Sequence, residues 1–275
     1  MLYSTTSILL PVGTWECKYA FMGFTVGGYF EKSDELNLAL FSARCSMIAC
    51  SYAILLIHFI FRYLVVLRYE LIGKRFILFM IFSFFLTIIH FMVWFLVCQI
   101  SIRATTETRA YIHDCFWDEF QEDSFQINVL TSVYSEVSEE FIRKCSLGIF
   151  IIAVLSSYST ILYMILGSMT MRQLNESSTN MSVRSRTMQK QLLKALVIQT
   201  VIPICVSYAP CTTVWFMPIF ELGMGSAYNS GVAIALCLFP VFDPCAIILC
   251  LPVLRNRILK REVVSSVVPA TMTEN

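Results

Sequence analysis

Residues 76–98 read FILFMIFSFFLTIIHFMVWFLVC, without a single Asp, Glu, Lys or Arg. A helix of ~20 apolar residues crosses the hydrocarbon core of a bilayer. Only helices and closed barrels satisfy every backbone polar group there. The pattern recurs along the chain. Residues 146–171 are also free of charge and are followed by Arg172. Residues 195–220 and 227–254 carry only Asp243 between them, and 38–61 is apolar apart from Arg44 and runs into Arg62. Five spans are therefore expected, at about 38–61, 76–98, 146–171, 195–220 and 227–254. The bulk numbers agree: 57% hydrophobic and 14% charged, against ~25% charged in a soluble domain. A net charge of +1 removes the basic footprint of a nucleic-acid binder.

Orientation follows from lysine and arginine, which gather on the cytoplasmic side. Segments 62–75, 172–194 and 254–275 hold 13 of the 20 basic residues, whereas the connection 99–145 carries nine acidic residues against four basic ones. The basic segments share one side in a five-crossing chain, so the C-terminus and the tail 259–275 are expected inside and residues before 38 outside. Asn175 and Asn180, each in an Asn-x-Ser sequon, then face the cytoplasm in a polar loop, where no glycan is added. Residues 1–10 lack the basic start of a signal peptide.

Eleven cysteines include no C-x-x-C pair, so zinc and redox motifs have no support. Most lie in apolar runs, where a thiol acts as a small hydrophobe. There is no H-E-x-x-H, G-x-S-x-G, Walker loop or G-x-G-x-x-G either. Neither an enzyme nor a cofactor or metal is expected.

Ionisable groups inside a membrane are costly and mark function by default. Asp243 precedes Pro244 in a run that also holds Pro240 and Pro252. A proline frees a carbonyl and kinks the helix, so the pair reads equally as a movable hinge or as a structural hydrogen bond. Pro203, Pro210 and Pro218 mark the preceding span for bending. Arg62 and Tyr63 close the first span as a snorkelling cation and an interfacial aromatic, or as a charge that pairs across helices in one conformation only. His58 and His90 read as packing groups.

Three stretches together resemble a known family. Gln189–Pro203, QKQLLKALVIQTVIP, is similar to the entry of the sixth helix in nematode seven-transmembrane chemoreceptors of the Str class and its Srj and Srd relatives. FPVFDP at 239–244 followed by Leu254-Arg255-Asn256 resembles the family's seventh-helix ending, and HFIFRY at 58–63 its third-helix inner end. Phe61 and Leu254 stand where the family usually has tyrosine.

The resemblance implies an all-α transmembrane bundle of rhodopsin-like architecture that lacks the first helix and most of the second. Residues 1–37 are then a remnant of the second helix with an outer loop, and 38–258 the bundle. It also implies a receptor for a small-molecule odorant, coupled to a heterotrimeric G protein in a sensory-neuron membrane. Arg62, Tyr63 and Arg255 would sit at the signalling face, with Pro203 and Asp243-Pro244 as hinges. Cys45 and Cys115 are candidates for the outer disulfide of other receptors, and Trp94, Trp215 and Phe216 for the lining of an apolar pocket. Two further readings stand beside this one: a non-signalling truncated product, and a small transporter using Asp243. The transporter reading predicts internal repeats, and no second D-P element is present.

Overall fold

The computed structural model describes residues 2–27, 30–67, 69–176, 183–220, 223, 225, 227–235 and 245. Leu2–Leu9 forms a short helix, α1. Two strands follow, β1 (Val12–Cys17) and β2 (Ala20–Thr25). Next come the long helices α2 (Glu35–Leu67) and α3 (Tyr69–Ile100), then α4 (Thr106–Phe120) and a third strand, β3 (Val129–Val133). Finally α5 runs from Glu139 to Glu176, α6 from Val183 to Pro203 and α7 from Ala209 to Phe216.

Among the described residues, three helices are long and apolar enough to cross a membrane: Glu35–Leu67, Arg75–Ile100 and Glu139–Glu176, with mean hydropathies of 2.0, 2.5 and 2.2. They carry the first three expected spans and overrun them. Thirty-three residues of α2 extend about 50 Å, well beyond the ~30 Å hydrocarbon core. The connection read at 62–75 is accordingly helical to Leu67 and again from Tyr69, with a break at Arg75 (φ −121°, ψ 23°). The expected span 195–220 lies within a helical run that starts at Val183 and is interrupted after Pro203 by a π-turn, Ile204–Tyr208. Proline withholds a backbone donor, and such irregular turns accommodate the gap. Of the expected span 227–254, residues 227–235 and Cys245 are helical.

The all-helical expectation is corrected at one end of the bundle. There β1, β2 and β3 form an antiparallel sheet in that order, with Cys17 opposite Ala20 and Phe24 opposite Val129. The hairpin turn uses Lys18 at φ +49°, a conformation that two-residue turns require and that glycine or asparagine normally supplies. Because side chains alternate across a strand, the sheet has two working faces. Trp15 and Phe24 face α4, where Phe24 meets Phe116 and Phe120 at ring-centroid distances of 5.1 and 5.0 Å, and Trp15 meets Phe120 at 5.4 Å. Phe21, Gly23, Leu130 and Ser132 face the ends of the long helices. Both faces are thus covered, and every residue of β3 is buried.

α4 is held at its start by a capping box, with the Thr105 and Thr108 side chains each meeting the other's backbone N–H. α2 is the hub of the bundle, packing against α3, α5 and α6. The buried side chains around it include two groups: one under the sheet, around Phe41, Trp94, Cys98 and Leu130, and one toward the far end, around Leu56, Phe59, Tyr163, Leu174 and Leu193.

Candidate functional site

Beneath the sheet lies a small, partly open chamber with about 60 Å³ of free space. Phe21, Gly23, Leu130 and Ser132 form its roof, α2 contributes Phe41, Cys45 and Ile48, and α3 contributes Trp94, Cys98 and Ile102. Cys211 and Trp215 on α7 complete the wall. The hydroxyls beside it are already engaged: those of Thr131 and Ser132 donate to the Phe21 carbonyl at 3.4 Å, and that of Thr14 to the Asn229 carbonyl at 3.0 Å. Aromatic rings, thiols and aliphatic side chains provide most of the remaining surface. Such a site suits a compact, uncharged guest, because an unpaired charge in an apolar enclosure costs several kcal/mol or more.

The roof is fastened in several ways. A disulfide joins Cys17, the last residue of β1, to Cys115 on α4. This corrects the expected pair Cys45–Cys115: Cys45 is a free thiol in the chamber wall on α2, whereas Cys17 projects from the sheet face that α4 covers. The Tyr134 hydroxyl donates to the Trp215 carbonyl at 2.8 Å, tying the segment after β3 to α7. Burial pushes that phenol's pKa up, so it stays protonated and remains a donor. Arg109 of α4 donates to the carbonyls of Ser124 and Ile127, the latter at 2.9 Å, and to the Ser33 hydroxyl at 3.0 Å. It thereby holds the approaches to α2 and β3 together.

Trp94 and Trp215 line the chamber as expected for an apolar pocket, while Phe216 packs against the surrounding core instead. Residue reading missed the lid. The β-branched run VLTSV at 129–133 was its one local signal, and it sits inside a strongly acidic connection. Arg44, the single charge in its apolar run, is only 3% exposed on α2.

From the chamber, α2 runs to the far end past two contacts with the other helices. In the π-turn, Tyr208 stacks on Tyr52 at 3.9 Å between ring centroids, and its hydroxyl lies 2.5 Å from Ser51 Oγ. Pro203, the last residue of α6, is where that turn begins. Farther along, Arg62 Nη1 donates to Gln189 Oε1 of α6 at 3.4 Å, and both residues are half-buried. Tyr63 beside it is half-buried. The end of α5 is capped from α6, with Arg186 donating to the carbonyls of Leu174 at 2.7 Å and Asn175 at 3.1 Å. His90 is a satisfied packing group between α3 and α5, with Nδ1 2.9 Å from the Leu86 carbonyl and Nε2 3.2 Å from Ser159 Oγ. His58 is exposed on the bundle surface. Asp243, Pro244 and Arg255 lie outside the described residues.

Comparison with known proteins gives this geometry a context. A family model described as "Serpentine type 7TM GPCR chemoreceptor Srj" matches residues 1–258. Serpentine receptor class J-38 of Caenorhabditis elegans is 34% identical over 258 residues, covering 94% of this chain and 78% of the receptor. Serpentine receptor class r-10 of the same species is 25% identical over 80% of this chain and 65% of its own. G-protein coupled receptor str-33, also from C. elegans, is 24% identical over 89% and 71%. No solved structure matches the chain.

Proposed function

We propose that this chain, which belongs to the Srj family of serpentine seven-transmembrane chemoreceptors, detects a small uncharged molecule in the chamber under the sheet and signals to a heterotrimeric G protein at the far end. The observation that carries this reading is the roofed apolar chamber itself, walled by the same helix, α2, that carries Arg62 of the Arg62–Gln189 contact toward its far end. A ligand shifts a conformational equilibrium only through differential affinity for the two states. Here Cys211 and Trp215 line the chamber on α7, immediately beyond the π-turn, so the position of that helix changes the fit around a guest. The same movement is resisted by Tyr208 against Ser51 and Tyr52 and, at the other end of the same helical run, by Gln189 against Arg62.

On this account the sheet end faces outward. Two independent observations support it: the excess of basic residues in the opposite connections, and the Cys17–Cys115 disulfide, which belongs on the oxidising side of a membrane. The chain crosses five times, with 195–220 and 227–254 supplying the last two spans. Its C-terminal tail is cytoplasmic, and the host membrane is that of a sensory neuron. Arg62, Tyr63 and Arg255 contribute to the G-protein face, and Pro203 and Asp243-Pro244 serve as hinges. The protein acts by binding rather than by catalysis.

The test is G-protein activation in membranes of cells expressing the full chain, screened against small neutral volatiles. A responding compound should lose its effect in Cys211→Phe, which fills the chamber, while surface expression persists. Gly23→Ala offers a gentler version, since the added methyl would lie 3.7 Å from Phe41, an ordinary contact. An unchanged response in both variants would remove the chamber from the account.

A further inference from the structure

Two concavities lie one above the other along the seam of α3 and α5, away from the chamber. The upper one, about 640 Å³, opens at the sheet end and is lined by Gln99, Arg103, Glu107, Glu140, Phe141 and Lys144, among others. The lower one, about 270 Å³, is an apolar groove lined by Val93, Phe150, Ile151, Val154, Leu155 and Tyr158.

Helical spacing joins them. Lys144, Leu147, Ile151, Val154 and Tyr158 follow one another at intervals of three and four, so they form one stripe along α5. Val93, Leu96 and Ile100 form the matching stripe on α3. At Gly148 the two helices press together: a Cβ there would lie 2.4 Å from Ser101 Cβ and 3.0 Å from Val97 Cγ1. That approach pins α5 against the end of α3 between the two concavities, while the lower groove is open and lined by α5 with Val93 of α3 at its edge. From Lys144 to Tyr158 the stripe runs about 21 Å along the helix, enough to reach from the membrane boundary past the middle of a ~30 Å hydrocarbon core.

The mouth presents both signs of charge. Lys144 Nζ lies 2.6 Å from Glu140 Oε1, and Arg103 pairs with Glu35. Glu107 accepts from the Ser138 backbone N–H at 2.6 Å and hydroxyl at 2.8 Å. The Lys144 hydrogen bond and charge hold the Glu140 carboxyl below the ordinary carboxylate range, so that pair is fully ionised at neutral pH. Cations set beside carboxylates complement a headgroup that itself joins a phosphate to an amine.

We propose that this seam holds one zwitterionic phospholipid of the sheet-end leaflet, with its phosphate at Lys144 and Arg103, its amine toward Glu140 and Glu107, and one acyl chain in the groove below. The charge-paired mouth selects the headgroup, and the pinched seam distinguishes the bound lipid from those that merely surround the helices. The inference goes beyond the receptor reading and is measured without any odorant, so either can fail while the other stands.

The test is native mass spectrometry of the full chain in mild detergent, titrated with palmitoyl-oleoyl phosphatidylcholine. The expected result is a single saturating adduct, weakened about tenfold (~1.4 kcal/mol) in Lys144→Glu, a surface change that leaves the helix intact. Val154→Trp, which fills the groove, should abolish it. Ile77→Trp, on a part of α3 that is 74% exposed and remote from the groove, should retain it. Palmitoyl-oleoyl phosphatidylglycerol, which lacks the amine, should bind more weakly. Equal adduct distributions in wild type, Lys144→Glu and Val154→Trp would overturn the proposal, as would a preference for phosphatidylglycerol.

Discussion

The two ends of the bundle are held by different means. At the sheet end, three paired strands, a disulfide, a capped helix and a cluster of aromatic rings enclose the chamber. At the far end the contacts between α6 and its neighbours include a leucine-rich patch, the Arg62–Gln189 hydrogen bond and the Arg186 cap. Backbone pairing and a covalent bond fix geometry in a way that single side-chain hydrogen bonds, each worth about 0.5–1.5 kcal/mol net, do not. A receptor needs this asymmetry: a shaped site that keeps its form, joined to an end whose packing a small free energy can change.

The disulfide should show the largest effect. Cys17 and Cys115 are 98 residues apart in sequence, and removing such a tie typically costs about 2–5 kcal/mol. Cys17→Ser should therefore lower the midpoint of thermal unfolding in detergent markedly, with dithiothreitol reproducing the loss in the wild type. Cys45→Ser should leave the midpoint within a few degrees of wild type, and an equal loss there would return the disulfide to Cys45. Next comes Gly148→Val, whose added methyls would collide with Ser101. Overpacking of this kind costs about 1–3 kcal/mol, read as lower surface expression as α3 and α5 separate.

Smaller changes probe the other end. Tyr208→Phe keeps the stack on Tyr52 and removes only the hydroxyl that meets Ser51. About 1 kcal/mol of stability should go, together with a rise in ligand-independent G-protein activation. Gln189→Leu, which deletes the partner of Arg62, should shift stability by less than about 1 kcal/mol and yet alter basal signalling. If the last two variants unfolded the protein as severely as Cys17→Ser, the contrast between the ends would be lost.

Much of the membrane-spanning architecture was legible in the residues because lipid imposes a blunt rule, a long helix without charge. Helices α2, α3 and α5 each contain such a stretch, interrupted by a charge only at Arg44 of α2. Gln189 in the motif QKQL was also informative, since the structure sets it against Arg62. The lid was hidden for reasons that can be stated. β3 is buried on both faces, so the alternation that betrays a half-exposed strand is missing. The hairpin turn places Lys18 in a left-handed conformation, where the usual Asn-Gly signal would have marked it. The disulfide was misassigned because Cys17, ahead of the first span, and Cys45, near the start of that span, both lie at the sheet end with Cys115. Sequence distance carries no information about which Cβ faces which.

The division between a fixed sheet end and a yielding far end is tested most directly by hydrogen–deuterium exchange of the full chain without ligand. Opening free energies differ across a structure, and exchange reads them segment by segment. The account predicts slow exchange in 12–25 and 129–133, and faster exchange in 183–208. Equal protection of the two regions, or a sheet that exchanges first, would contradict it.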